Sequence, residues 1–158
     1  MLRKGSWMGL LVCLVLLSLL SPAQAQGKNC QPIEKALGYP VEKEKGVCRM
    51  ELIRKGLDAT HMGRKLSPET MELELMATFE KTGKTTAVMG EFALLEREVN
   101  PVIDRLRRAG LDVTAVHNHM LFERPRILYV HFQGEGSPEA LAKGVRQAVQ
   151  ATSYRSSR

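Results

Sequence analysis

From Met71 to Phe79 the chain alternates. Met71, Leu73, Leu75, Ala77 and Phe79 are apolar, Glu72 and Glu74 stand between them, and Glu80 follows. Successive side chains of a strand point to opposite faces, so this period commits the segment to a sheet with one dry and one wet face. An amphipathic helix would need its apolar positions three and four apart instead. Thr82-Gly83-Lys84 reads as a turn, and Thr85 to Leu94 returns as the next strand of a hairpin.

The rest of the chain is arranged around that hairpin. Val47 to Ile53 is an earlier strand, turned by Gly56-Leu57-Asp58-Ala59, and a short extended piece is expected around Thr60–Leu66. Asn100-Pro101 sets an N-cap residue before a proline at the first helical position, Val102, Ile103 and Leu106 line one helix face, and Gly110 ends the segment. Glu96–Val99 can add an earlier turn to this helix. Leu111–Met120 and Arg126–Gln133 read as a second pair of strands joined by a turn over Leu121–Pro125. Ser137-Pro138-Glu139 then opens a last helix with Leu141, Val145, Ala148 and Val149 as its apolar stripe. Both helices are apolar on one side only, so they are expected to share one face of a single mixed or antiparallel sheet, an α+β fold.

The 158 residues leave room for one domain of usual size. Residues 1–25 read as a secretory signal peptide. Arg3 and Lys4 precede an apolar run from Met8 to Leu20, and Ala23-Gln24-Ala25 forms a cleavage site before Gln26. The apolar run is about 13 residues, short of the roughly 20 that span a bilayer, so no membrane span is expected after cleavage. Neither Cys13 nor Cys30 follows the small residues that precede a lipid-modified cysteine. The expected location is periplasmic or secreted.

The expected parts of the exported chain are a polar N-terminal segment at 26–46, a domain at 47–151 and a frayed basic tail at 152–158. The first carries a short helix from Pro32 to Leu37, stopped by Gly38. Without Arg3 and Lys4 there are 21 basic residues against 17 acidic ones, a scattered +4 that argues against nucleic acid as a partner. Cys30 and Cys48 are then the two remaining cysteines, and an oxidising compartment favours a disulfide between them over two separate thiols.

Three of the four histidines fall in the second hairpin. His117 and His119 share a strand face, with Val116 and Met120 on the other. In the partner strand Leu128, Val130 and Phe132 form an apolar set opposed by Ile127, Tyr129 and His131. The simplest register puts Val116 with Leu128, Val130 and Phe132 under the helices, leaving His117, His119, Tyr129 and His131 on the open face. A right-handed strand–helix–strand connection sets 85–94 parallel to 111–120, with Glu91 at a similar height on that face. Glu91, His117, His119 and His131 make a donor set that suits Zn or another borderline divalent metal. The bland alternative is a polar network that only serves the fold. Glu123 completes a His-x-His-x3-Glu run like that of cupin metal strands, although the flanking helices argue against that barrel. The His-Asn-His string lacks the helical histidine of HNH nucleases. Nucleophile elbows, phosphate loops and paired Cys-x2-Cys motifs are absent from the sequence.

An ordered string of motifs goes further. Met89-Gly90-Glu91-Phe92 leads through Glu98-Val99-Asn100-Pro101-Val102 to Val113-Thr114-Ala115-Val116-His117-Asn118-His119-Met120. Pro125-Arg126, Tyr129-Val130-His131 and Gly134-x-Gly136 before Pro138 follow. Over roughly residues 32–150 the chain resembles the LppY/LpqO family of exported bacterial proteins, a domain of unknown function. The resemblance implies export and draws attention to His117, His119 and His131, but implies no activity. The expected function is therefore an exported binding module whose histidine face holds a divalent metal or small ligand, with an unknown small molecule or envelope component as partner. The alternatives are a metal-dependent hydrolase of the cell envelope, with Glu91 as ligand or general base, and a structural or interaction protein with no small-molecule site.

Overall fold

A computed structural model describes residues 30–156, so the expected signal peptide lies outside the described residues. In chain order the elements are α1 (Gln31–Leu37), β1 (Glu42–Glu44), β2 (Val47–Ile53), β3 (Thr60–His61), β4 (Arg64–Lys65), β5 (Glu74–Thr82) and β6 (Thr85–Leu95). They continue with α2 (Glu96–Arg108), β7 (Asp112–Asn118), β8 (Glu123–Arg124), β9 (Ile127–Gly136) and α3 (Pro138–Gln150). The expected first hairpin is β5–β6, registered from Leu75 opposite Phe92 to Thr82 opposite Thr85. Six strands form one antiparallel sheet in the order β1-β2-β5-β6-β9-β7. Both β6 and β7 pair antiparallel with β9 between them, so they run parallel to each other and α2 carries the chain across.

The alternation decides which face is dry. Met50 and Leu52 from β2, Leu75, Ala77 and Phe79 from β5, Val88, Phe92 and Leu94 from β6, and Val130 and Phe132 from β9 are buried in one core. All three helices pack on it, α3 through Leu141, Val145, Ala148 and Val149 and α2 through Val102 and Leu106. Close approach is built in at Gly90, where an added Cβ would press into the Phe132 ring. The fold class is α+β, as expected.

Several local expectations change. The Asn100 N-cap does not form. The helix α2 begins at Glu96, and Pro101 lies inside it. The Glu98 carboxylate accepts the Leu95 N–H at 2.9 Å and anchors this turn, which favours helix ahead of the proline. Val116 is exposed rather than under the helices, because β7 is an edge strand with no buried residue. A register shift between Val113 and Ala115 interrupts its pairing with β9.

Residues 31–46 belong to the same core as the rest. Ile33 and Leu37 of α1 are buried in it, β1 pairs with β2, and the Cys30–Cys48 disulfide ties the helix to β2. Nor does the chain fray at 152. Thr152 is buried, Ser153 donates to Glu98, and Tyr154 stacks edge-on against Tyr39.

A second sheet joins the expected single one. Strands β4, β3 and β8 form a small antiparallel sheet in that order. The segment joining β2 to β5 lays Ala59, Met71 and Leu73 against Ala93, Leu95, Ile127 and Tyr129 of the large sheet, a second core on the face away from the helices. Met71 and Leu73 thus continue the alternation in burial but precede β5 and pack on its other side. Among the described residues no helix is long and apolar enough to cross a membrane.

Candidate functional site

The second core covers only part of the helix-free face. Beyond Tyr129 the face is open, and the strand register fixes what it displays. Glu91 of β6 lies directly opposite His131 of β9, and Tyr129 lies opposite His117 of β7. Along the groove between β7 and β9 four rings interleave. The His119 and Tyr129 centroids are 4.8 Å apart, Tyr129 and His117 5.8 Å, and His117 and His131 5.1 Å. A carboxylate stands at each end, Glu91 beside His131 and Glu123 beside His119.

The hydrogen bonds assign the protons. The Asn118 carbonyl can only accept, so the His117 Nδ1 at 3.0 Å donates to it. The neutral His117 ring then has its lone pair on Nε2, and His131 Nε2, 2.9 Å away, donates to it. Glu91 Oε2 lies 3.5 Å from the same His131 Nε2, close enough to attract charge without a good hydrogen bond. At the other end His119 donates from Nδ1 to Glu123 Oε2 at 2.8 Å. Glu123 is buried and also accepts the Ile127 N–H at 2.9 Å. A carboxylate that fixes the imidazole tautomer and leaves Nε2 bare is the outer-shell arrangement common behind metal-ligating histidines.

The four expected site residues therefore do not meet at one point. His131 adjoins both Glu91 and His117, whereas His119 lies across the Tyr129 ring and is held by Glu123. His61, which the sequence places outside the hairpin, pairs across from Glu123 through β3 and β8, and its buried Nδ1 has no hydrogen-bond partner. Among the described residues no three His, Cys, Asp or Glu side chains are arranged to hold a metal ion as they stand. His117 is exposed and the His131 and Glu91 side chains are about one-third exposed, so this part of the face is open to solvent.

The residue that sequence reasoning missed on this face is Glu74. Burial pushes its carboxyl up to about 7, the Glu51 carboxylate adds to the rise, and Arg49 at 3.8 Å opposes it. The signal was present in the alternation, because Glu74 faces away from Leu75 and Ala77, but nothing local marks it apart from Glu72. Tyr129 is also pushed up, by burial first and then by the charges of Glu91, Glu74, Glu72 and Glu123 around it. Its hydroxyl donates to the Glu72 carbonyl. The face thus gathers carboxylates and imidazoles around one buried phenol.

The model of a family described as Domain of Unknown Function (DUF1259) matches residues 31–151. The chain belongs to that family. The DUF1259 match takes in both carboxylates and all four rings of the groove, and it begins one residue after the disulfide's Cys30. No curated protein and no solved structure matches the chain.

Proposed function

We propose that this DUF1259 domain is an exported binding module whose open sheet face takes a divalent cation, Zn or a similar borderline metal, at Glu91, His131 and His117. One observation carries the reading: two imidazole Nε2 atoms 2.9 Å apart, with a carboxylate oxygen 3.5 Å from one of them. Metal–ligand bonds of about 2.0–2.1 Å in a tetrahedron set ligand atoms about 3.3 Å apart. The side chains are thus within small rotations of that spacing. The ion replaces the N–H···N hydrogen bond, and the His131 Nε2 proton passes through solvent to Nδ1 of the same ring, which frees the Nε2 lone pair as a ligand. His119 serves the face through Tyr129 rather than as a ligand.

The open face favours binding over hydrolysis, which gains from a site closed to bulk water. Export rests on the leader-like residues 1–25 and is compatible with the Cys30–Cys48 disulfide. The finer family resemblance, to LppY/LpqO proteins, is part of the same proposal.

Calorimetric titration of Zn into metal-free protein, made without a histidine tag, tests the reading. Wild type should bind one ion, and His131→Ala and His117→Ala should each lose most of the affinity while His119→Ala retains it. Equal binding by wild type and both ligand variants refutes the site and leaves the histidines as part of the fold.

A further inference from the structure

The small sheet β4-β3-β8 ends in a tip that water does not explain. Met62 is 70% exposed, Leu121 74% and Phe122 69%, with Met120 beside them at 38%. The tip is built and not merely loose. Thr60 pairs with both Lys65 and Arg124, and the Met62 N–H donates to the Phe122 carbonyl at 3.0 Å. That bond brings the β3–β4 turn and the loop before β8 together, so their apolar residues form one cluster. Met62-Gly63 is a two-residue hairpin loop with both φ values positive, 50° and 74°. Asn, Asp or Gly normally fills the first of these positions. Phe122 also has positive φ, at 63°. Two bulky apolar residues therefore stand where both backbone preference and solvation disfavour them.

The solvent-facing charges on the tip's own strands have one sign. Arg64, Lys65, Arg124 and Arg126 are exposed next to it, and the acid within the same strands, Glu123, is turned inward and buried against His119. Lys65 meets Asp58 and Arg126 meets Glu96, which leaves Arg64 and Arg124 without an acidic partner among the described residues. A convex apolar point with a cationic collar fits a lipid interface, where apolar side chains enter the headgroup boundary and Lys or Arg meet anionic lipid.

We propose that the β3–β8 tip is a peripheral anchor on an anionic bilayer surface, with Leu121, Phe122 and Met62 inserting and Arg64 and Arg124 contacting lipid headgroups. It holds the histidine face near a membrane without a spanning segment. The proposal is independent of the metal reading.

Co-sedimentation of the purified protein with vesicles tests it. Phosphatidylglycerol–phosphatidylcholine vesicles should bind the protein, and pure phosphatidylcholine vesicles should bind it at least tenfold less. Raising the salt from 0.1 to 0.5 M, which shortens the Debye length from about 10 Å to about 4 Å, should release it. The double change Leu121→Ser with Phe122→Ser should weaken binding roughly tenfold or more, from the apolar area withdrawn, with the melting temperature unchanged because both residues are exposed. Arg64→Glu, on the outer strand β4, provides a second variant and should weaken binding to the anionic vesicles only. Equal binding by wild type and the tip variants from matched preparations overturns the proposal. So does equal binding to both vesicle types. A tip that binds neither vesicle but whose substitution changes the oligomeric state is a protein contact, and that outcome overturns it as well.

Discussion

Replacing Glu98 by Gln removes a charge and almost no volume, at a point where the helical layer is tied to the second face of the sheet. Glu98 is 4% exposed and its carboxylate accepts five hydrogen bonds. Arg54 supplies two, from Nη1 at 2.7 Å and Nη2 at 2.8 Å, the Ser153 N–H and hydroxyl supply two at 2.8 and 2.6 Å, and the Leu95 N–H supplies one at 2.9 Å. Burial alone would raise the carboxyl, but the bonds from Arg54, Ser153 and Leu95 outweigh it and bring it down to about 2 from an ordinary 4.5. A folded-state value below the unfolded one means that the charged form stabilises the fold. That contribution is complete above pH about 4.5 and is lost as pH falls toward 2. The shift corresponds to about 3 kcal/mol. Gln cannot neutralise Arg54, itself 2% exposed, and its amide sets donors against donors. Removing one partner of a buried pair costs about 3–5 kcal/mol. Urea unfolding at pH 7 should show a loss of that size in Glu98→Gln, and the gap to wild type should narrow by about 3 kcal/mol as the pH is lowered to 2. Ser153→Ala, which removes one donor, should cost about 1–2 kcal/mol in the same direction. A loss below about 1 kcal/mol at pH 7 for Glu98→Gln, or a gap that does not change with pH, refutes the argument.

Two further outcomes are expected. Gly90→Ala places a Cβ 2.7 Å from the Met76 carbonyl oxygen and inside the Phe132 ring; the overpacking should cost about 1–3 kcal/mol or more in urea unfolding, and an unchanged midpoint would show that the sheet yields there. Glu74 has the opposite sign to Glu98: its folded value, about 7, lies above the unfolded one, so the folded state holds this proton more tightly and stability falls as pH rises from about 4.5 through 7. Glu74→Gln should therefore raise the melting temperature at pH 8 and leave it nearly unchanged at pH 4, as scanning calorimetry can read directly.

The elements with a strong local signal were legible in the sequence. Alternation marks β5, and Ser137 with Pro138 marks the start of α3, where the Ser137 hydroxyl accepts the Ala140 N–H at 3.3 Å. For α2 the sequence offered two starts, since Asn100-Pro101 imitates a helix start while Glu96–Val99 can add the earlier turn that the structure has. The residue that settles the matter, Arg54, is 44 positions away from Glu98 and no local rule connects them. Val116 was misplaced for a similar reason. Parity says which way a side chain points, but only the strand order says whether anything covers it, and β7 proved to be at an edge. For the site, parity correctly set Glu91, His117, Tyr129 and His131 on one face, since that depends on register alone. The separation of His119 from the others was not legible, because it depends on a tyrosine ring between imidazoles and on a buried carboxylate contributed by the short strand β8.

That strand explains why the face is half covered. Were the second core to extend over β7, His117 and His131 would be buried, and two imidazoles with a carboxylate would be expensive to enclose without further partners. The cover stops instead at Tyr129, whose ring is apolar toward Ala93 and Ile127 and whose hydroxyl reaches the Glu72 carbonyl of the covering segment. Strand β8 is what halts it. Pairing with β3 fixes the end of the covering segment, and Glu123 reaches from β8 to His119 and to the Ile127 N–H where β9 begins. Consecutive residues at β8 thus do opposite things. Glu123 turns inward and sets the tautomer of the ring ladder, while Phe122 and Arg124 turn outward to form the tip. A short strand with one buried carboxylate therefore positions the histidine face and the apolar point together, which makes their relative placement a property of the fold rather than of a flexible loop.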